Sequence, residues 1–394
     1  MILVVNETPL GSLKIYGTSE RRNGKRKRRH NMRRLGISIY PEHSTKEKDF
    51  AYMEMAAKYG FSRIFTCLLS VNKPKEEMIE EFKEFMDKAH ELGFEVAVDT
   101  NPKVFEHLGA SATNLKPFAD MHVDIVRLDM SFGAMMDTMT TQNPYGLKIE
   151  FNGSTTSDNV EAMLHMGARQ DQMLICHNFY PQKYTALDWD LFMNFSRNWK
   201  RLGFTTAAFV SSHNDPTFGP WEVYAGLPTC EIHRKMPIDL QARHLFATGL
   251  IDDVIIGNAY ATEEELKSLG GIDLNTVQIK IDLADTVTEE EKNLLFNHVH
   301  SNRGDYPSQM VRSSFTRMLY RETSIPHTPC DKEFFTRGDV CVINDNLKHY
   351  RAEVQIILED IPNDGERNLV GRIPEEELCI LEHLKGWKKF NFIK

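Results

Sequence analysis

The chain has 394 residues, of which 41% are hydrophobic and 26% charged, a composition typical of a folded globular protein. This length favours two or three domains and excludes a small disulfide-stapled scaffold. The six cysteines form no Cys-x-x-Cys pair, so we expect reduced thiols and no structural zinc site. The net charge of −9 argues against a nucleic-acid-binding body.

The amino-terminal region is unusually basic, since residues 21–34 carry nine Lys or Arg side chains and no acid. Such a run is either an arm for nucleic acid or anionic lipid, or part of a leader that precedes the working protein. We favour a leader over residues 1–31, or an over-long start before Met32. No run of about 18 apolar residues and no secretory signal is found, which predicts a cytoplasmic protein without nucleic-acid or membrane partners.

Short apolar runs then alternate with amphipathic stretches as far as residue 270, a pattern typical of parallel strands joined by helices. The runs predicted as strands are 35–40, 63–68, 95–99, 125–129, 147–151, 173–177, 205–210 and 253–257. Helices are predicted over 44–58, where Ser44 opens a capping box, and over 75–92, 155–166 and 188–202, each followed by a glycine. Eight such strands predict an α/β fold, a (β/α)8 TIM barrel, over residues 32–272.

The pattern changes after residue 273. Residues 276–282 alternate with a period of two, and an acidic helix is predicted at 288–296. Further strands are predicted at 340–343, 350–357 and 378–381, separated by Asn- and Gly-containing turns. We therefore predict a second domain over 273–394, a small and mostly antiparallel β barrel.

In a TIM barrel the functional site lies at the carboxyl ends of the strands, so the polar residues found there are the candidates. In chain order they are Asp99, Arg127, Asp129, Glu150, Asn152, His177, Asn178, Tyr180, His213, Glu231, Arg234 and Asn258. Carboxylates, imidazoles and carboxamides on one rim predict a polar substrate with many hydroxyl groups.

Several of these residues also have a purely structural interpretation. Arg127 and Asp129 lie two positions apart on one strand, so they point to the same side and can form an internal ion pair. Asp99 can cap the helix that follows it. His177 can be a hydrogen-bonded core histidine, and His213 an ordinary loop histidine.

The candidates serve some chemistries better than others. No His-x-x-x-His or His-Glu-x-x-His spacing occurs, so no metal is predicted, and no Gly-x-Gly-x-x-Gly follows a strand, so no cofactor is predicted. A Schiff-base aldolase needs a lysine at a strand end, whereas Lys148 lies within its strand. Glycoside hydrolysis needs two carboxyl groups, or one acid that assists a substrate acetamido group, and this rim provides carboxylates in excess.

Four segments in combination resemble the bacterial 6-phospho-N-acetylmuramidases. They are Arg-Leu-Asp at 127–129, Leu-Lys-Ile-Glu-Phe-Asn-Gly-Ser at 147–154, Cys-His-Asn-Phe-Tyr-Pro at 176–181 and Gly-Leu-Pro-Thr-Cys-Glu-Ile-His-Arg at 226–234. The resemblance extends from Arg34 to the carboxyl terminus, so residues 1–31 have no counterpart in it. It implies a TIM barrel followed by a cyclophilin-like β domain.

The resemblance also implies an activity and a substrate. The reaction is intracellular cleavage of 6-phospho-N-acetylmuramyl-β-1,4-N-acetylglucosamine to N-acetylmuramic acid 6-phosphate and N-acetylglucosamine in peptidoglycan recycling. The expected partner is therefore a small phosphorylated disaccharide, and a homo-oligomer is left open. Alternatives are a hydrolase of another phosphorylated disaccharide and a phosphosugar-binding protein without turnover.

We expect the general acid to be among Asp129 and Glu150, with Glu231 and Asp99 as further catalytic candidates. The remaining candidates, from Arg127 to Asn258, are expected to bind substrate. For the 6-phosphate we expect the loops after the seventh and eighth strands, at 258–262, with His213 and Arg234 as donors. Arg303, Arg312 and Arg317 of the second domain are alternatives if that domain covers the barrel mouth.

Overall fold

The computed structural model describes residues 33–69, 74–222 and 224–394. Residues 1–31, which are predicted to be a leader, lie outside the described residues, and so does most of the basic run at 21–34. In the described part, eight parallel strands form a closed barrel, which confirms the predicted fold. The strands are β1 Arg34–Ser38, β2 Arg63–Cys67, β3 Glu95–Thr100, β4 Ile125–Leu128, β5 Lys148–Asn152, β6 Met173–Cys176, β7 Thr206–Val210 and β8 Asp253–Ile256.

Helices connect successive strands and cover the outside of the barrel. They are α1 Lys46–Lys58, α2 Lys75–Glu91, α3 Pro102–Leu108, α4 Lys116–Asp120, α5 Ala134–Thr141, α6 Asp158–His165, α7 Trp189–Arg201, α8 Ile238–Ala247 and α9 Glu263–Gly270. The cap of α1 lies one residue later than predicted, because the side chain of Thr45, not Ser44, accepts a hydrogen bond from the backbone of Lys48. Gly93 follows α2 with a φ of +85°, a left-handed conformation that suits glycine.

The region after the barrel is mostly β, as predicted. It contains β9 Val277–Lys280, β10 Asp282–Leu283, β11 His300–Ser301, β12 Met310–Ser313, β13 Phe334–Phe335, β14 Asp339–Ile343, β15 Val354–Ile357, β16 Ile361–Pro362, β17 Arg367–Arg372 and β18 Lys389–Ile393. These strands form a five-stranded sheet in the order β10-β17-β14-β15-β12, a three-stranded sheet β11-β18-β9 and the pair β13-β16. The helices of this region are α10 Glu289–Phe296, α11 Thr316–Leu319 and α12 Leu378–Leu381.

One strand prediction in this region is wrong, and another places the start of its strand too early. Residues 378–381 form the helix α12, which continues a 3-10 turn at Glu375–Glu377. Ile380 and Leu381 are consecutive and both buried, which fits a helix better than an alternating strand. The strand predicted from residue 350 begins only at Val354, because Ala352 has a φ of +65°.

Helix α8 belongs to both cores. Ile238, Ala242 and Leu245 pack in the barrel core, whereas Leu240 and Ala247 pack among the apolar side chains of the second region. The helix therefore joins the second region to the flank of the barrel.

Candidate active site

The most closely connected polar group at the carboxyl end of the barrel surrounds Arg127. Arg127 is buried on β4, and its Nη1 donates to Asp99 Oδ1 on β3 at 2.5 Å. Its Nη2 donates to Asn178 Oδ1 at 2.5 Å, and Asp129 Oδ1 lies 3.8 Å from Nη1. We call Asp99, Arg127, Asp129 and Asn178 the mouth cluster. The structural ion pair expected for Arg127 is made chiefly with Asp99 rather than with Asp129.

The two carboxyl groups of the mouth cluster differ in their access to solvent. The side chain of Asp99 is 6% exposed and that of Asp129 is 38% exposed. Burial raises the pKa of Asp99 to about 6, although the charge of Arg127 acts in the opposite direction. Asp99 does not cap the following helix, since the side chain of Asn101 accepts the backbone N–H of Val104. The partner of Asp99 is therefore Arg127 and not the start of the helix.

Glu150 lies on β5, opposite Arg127 in the register of β4 and β5. Its side chain is fully buried, and Arg63 of β2 donates to it. Arg63 also donates to Asp253 at 2.5 Å, and Glu150 Oε1 lies 3.9 Å from Arg127 Nε. Glu150 therefore balances the charge of two internal arginines, a position that suits support of Arg127 rather than contact with substrate.

Glu231 and Arg234 form an ion pair that joins loops at the rim. Arg234 donates to both carboxylate oxygens of Glu231 at 2.7 Å, and to the carbonyls of Tyr180, Gln182 and Ala225. The hydrogen bond from Arg234 lowers the pKa of Glu231 to about 2. Glu231 therefore stays ionised at neutral pH and is a poor proton donor. The guanidinium of Arg234 already donates hydrogen bonds to Glu231 and to the loop carbonyls.

The two candidate histidines differ in environment. His177 is buried, with its ring nitrogens 3.0 Å from Ser196 Oγ and 3.3 Å from Ser154 Oγ. Burial lowers the pKa of His177 to about 3, so it is a neutral core histidine. His213 is exposed, and its Nε2 lies 3.0 Å from the carbonyl oxygen of Arg234.

Three further candidates have mainly local contacts. Asn152 accepts the N–H of Ser154 at 2.8 Å. Tyr180 is half-buried, and burial raises its pKa. Asn258 is buried, and its side chain exchanges hydrogen bonds with the backbone of Ser212.

The loop after β8 is poorly suited to the predicted phosphate site. The N–H groups of Ala259, Ala261 and Thr262 already donate to protein oxygens. An anion therefore finds no free amide at these three positions.

A cavity of about 900 Å³ lies instead among the loops that follow β6 and β7. We call it the rim cavity. His213, Glu231 and Arg234 line it together with Lys183 and Lys235, two exposed lysines that our sequence reasoning missed. A search for cations beside the identified motifs would have found both, since Lys235 follows Arg234 and Lys183 lies shortly after Tyr180.

The second region contributes no residue to the rim cavity. Arg303 and Arg317, the alternative phosphate ligands, line a different cavity, and Arg312 donates to Glu353 at 2.7 Å. Among the described residues, no cluster of His, Cys, Asp and Glu is arranged to hold a metal ion. No helix in the described ranges is long and apolar enough to cross a membrane.

The fold and the mouth cluster define a TIM-barrel protein with paired carboxyl groups at the carboxyl end of its strands. Comparison with family models narrows this class. Residues 35–271 match the model described as 6-phospho-N-acetylmuramidase, N-terminal, and residues 277–393 match the corresponding C-terminal model. The chain belongs to the 6-phospho-N-acetylmuramidase family, as the sequence motifs indicated.

Solved structures share the whole architecture. An uncharacterized B. cereus protein is 44% identical with a TM-score of 0.84, and the match covers 92% of this chain and all of that one. A conserved Enterococcus faecalis protein of unknown function is 24% identical with a TM-score of 0.66, and the match covers 92% of this chain and 96% of that one. The comparison with curated proteins gives no match.

Proposed function

We propose that this protein is a glycoside hydrolase that cleaves 6-phospho-N-acetylmuramyl-β-1,4-N-acetylglucosamine to N-acetylmuramic acid 6-phosphate and N-acetylglucosamine. The observation that carries the proposal is the unequal pair of carboxyl groups, with Asp99 desolvated and Asp129 exposed beside one guanidinium. Glycosidases need one carboxyl group that holds a proton near neutral pH and another that stays ionised. Membership of the family supports the choice of substrate.

The roles follow from these environments. Asp99, whose pKa is raised to about 6, is the proposed general acid and donates its proton to the bridging oxygen as the glycosidic bond breaks. Asp129, the more accessible carboxylate, orients the substrate acetamido group or the attacking water. Arg127, which also donates to Asn178, holds the two aspartates, and Glu150 lies 3.9 Å from Arg127 Nε on the neighbouring strand. These roles revise the sequence-based order, in which Asp129 and Glu150 came first.

The rim cavity is the proposed site for the 6-phosphate. Lys183, Lys235 and His213 supply cationic or donor groups there, and no ion pair occupies either lysine among the described residues. Asn178 contacts Arg127, and two positions later the carbonyl of Tyr180 contacts Arg234 at the cavity wall. Residues 178–180 therefore link the mouth cluster to the wall of the rim cavity, and we propose that one disaccharide spans the two.

The cellular setting is part of the proposal. A sugar that is phosphorylated on import is met in the cytoplasm, so we place the enzyme there, in peptidoglycan recycling. We further expect the domain over 273–394 to be cyclophilin-like.

The experiment is product analysis with the synthetic 6-phospho disaccharide and with its unphosphorylated counterpart, each with and without a chelator. We expect N-acetylglucosamine to be released only from the phosphorylated compound, at a rate that the chelator does not change. Release from neither compound would favour a phosphosugar-binding protein. Equal release from both compounds would show that the enzyme does not recognise the 6-phosphate.

A further inference from the structure

The second region contains a cavity of its own, of about 940 Å³, whose lining residues all lie between residues 301 and 387. We call it the cationic cavity. Its wall combines five cations with two carboxylates, Asp305 and Glu322. The cations are Arg303, Arg317, Arg321, Lys348 and Arg351. The wall therefore has an excess of positive charge although the protein as a whole is acidic.

Three of the cations are engaged by the protein. Arg303 donates to both oxygens of Asp305 at 2.7 Å, and Arg351 donates to Asp345 at 3.0 Å. Arg317 donates to the carbonyl of His349 at 2.7 Å. These three side chains therefore already have partners within the protein.

Two cations remain available for a ligand. The side chain of Arg321 is 85% exposed, and the carboxylate that it approaches at 3.7 Å is that of Glu322, which is 93% exposed. Lys348 is exposed, and it has no ion pair within the described ranges of the chain. An exposed ion pair such as Arg321–Glu322 contributes little to the free energy of unfolding. A stabilising role therefore does not explain why Arg321 and Lys348 line the cavity.

The cavity also presents flat aromatic surfaces. Trp387 is 69% exposed, and its backbone has a φ of +63°. A Cβ at Gly304 would lie 2.4 Å from Trp387 Nε1, so only glycine allows the indole to lie against this backbone. Phe315 exposes about half of its surface beside the same cavity. A large aromatic ring is therefore mostly exposed beside the cavity, although burial of such a ring is generally favourable.

We propose that the cationic cavity is a second ligand site, which binds an anionic sugar of one or two rings bearing a phosphate or a carboxylate. Arg321 and Lys348 bind the anion, and Trp387 packs against the sugar ring. The hydroxyls of Ser301 and Ser314 add polar groups to the wall. The volume is that of a small-molecule site. The proposal does not depend on the hydrolase activity, because it concerns binding and uses no residue of the mouth cluster.

Calorimetric titration of the full chain tests this site. The probes are N-acetylglucosamine 6-phosphate, glucuronic acid, uncharged N-acetylglucosamine, inorganic phosphate and ATP. The test variant is Arg321→Glu with Lys348→Glu, and the matched control is Lys267→Glu, an exposed lysine on α9 of the barrel. A second variant, Trp387→Leu, is compared with Trp387→Phe, which keeps an aromatic ring.

We expect at least one anionic sugar to bind to the wild type and to Lys267→Glu, and to bind at least ten-fold more weakly to the double variant. Trp387→Leu should weaken the same binding more than Trp387→Phe, and turnover in the double variant should equal that of the wild type. Unchanged affinity in the double variant, or no binding of either anionic sugar to the wild type, would overturn the proposal. If inorganic phosphate binds as tightly as the anionic sugars, the cavity recognises the anion and not the sugar, which overturns the proposal. If ATP binds more tightly than the sugars and the double variant loses that binding, the cavity is a nucleotide site instead.

Discussion

At the scale of single residues, the two aspartates of the mouth cluster differ chiefly in their contact with water. Asp99 is almost enclosed, and desolvation opposes its ionisation more strongly than Arg127 favours it. Asp129 lies farther from the guanidinium and is partly solvated. A difference of this kind separates a proton donor from an ionised partner in enzymes that use two carboxyl groups.

The raised pKa of Asp99 predicts a descending limb in the pH dependence of catalysis. Asp99 carries its proton below a pH of about 6 and loses it above, so kcat/KM should fall as the pH rises through that value. In Asp99→Asn this limb should vanish along with most of the activity. A wild-type profile that stays flat from pH 5 to about 8 would contradict the assignment.

Glu150 should respond to substitution differently from Asp129. Glu150→Gln leaves Arg63 and Arg127 with less compensating charge in a buried site, so we expect a loss of about 3 kcal/mol in the free energy of unfolding. Asp129→Asn changes an exposed group and should keep the stability within about 0.5 kcal/mol while turnover falls at least about 100-fold.

Chemical denaturation and turnover, measured on both variants, check this pair. A Glu150→Gln protein as stable as the wild type would show that the buried ion pairs do not support the barrel.

At the scale of elements, the loops after β6 and β7 build the rim cavity, and Arg234 holds them together. Its contacts reach the loop at 180–182 and the loop at 225–231. Because Arg234 has this role, Lys183 and Lys235, which line the cavity, are the better candidates for phosphate recognition.

Lys183→Ala and Lys235→Ala should therefore raise KM for the phosphorylated disaccharide, about ten-fold each, with little change in kcat. Each removes one charge-assisted contact to the dianion and leaves the acid and its partner in place. Steady-state kinetics on both substrates is the measurement, with Lys267→Ala as the control. A fall in kcat at unchanged KM would place these lysines outside phosphate binding.

The elements of the barrel were predictable because each strand is a short apolar run that ends in polar residues, and a glycine follows each predicted helix. The run at 378–381 was misassigned because four apolar residues do not distinguish a strand from a helical turn. The sequence named the four residues of the mouth cluster as candidates, but it missed Lys183 and Lys235 and gave none of the contacts that set the environment of each carboxyl group. The environment of Asp99 depends on its ion pair with Arg127, and that of Glu150 depends on its ion pair with Arg63, 87 positions away in the sequence. Such pairs form only when the barrel closes.

At the scale of the whole molecule, a buried ion pair joins the barrel to the second region. Arg243 of α8 donates to Glu377 at 2.5 Å, and both side chains are almost fully buried. On the same helix, His244 lies 3.2 Å from His383, and burial lowers the pKa of His244 to about 2. Burial also lowers the pKa of His383, to about 4, so both histidines are neutral at physiological pH and add no charge to the contact.

Glu377→Ala should destabilise the protein by about 3 kcal/mol, because it leaves the buried Arg243 with Asp239 as its charged partner and the carbonyl of Gln278 as a further acceptor. Glu382→Ala, which removes an exposed carboxylate 3.7 Å from Arg337, should change stability by less than about 0.5 kcal/mol. Thermal unfolding of both variants is the measurement. Equal melting temperatures would show that the interface does not contribute to stability.

The most direct test of the proposed mechanism compares two leaving groups in Asp99→Asn. One substrate is the 6-phospho disaccharide, and the other is 6-phospho-N-acetylmuramic acid linked to dinitrophenol, which departs without protonation. If Asp99 is the general acid, kcat for the disaccharide should fall at least about 100-fold, while kcat for the dinitrophenyl compound stays near that of the wild type. Equal losses on both substrates, in a variant that remains folded, would contradict the assignment of Asp99 as the acid.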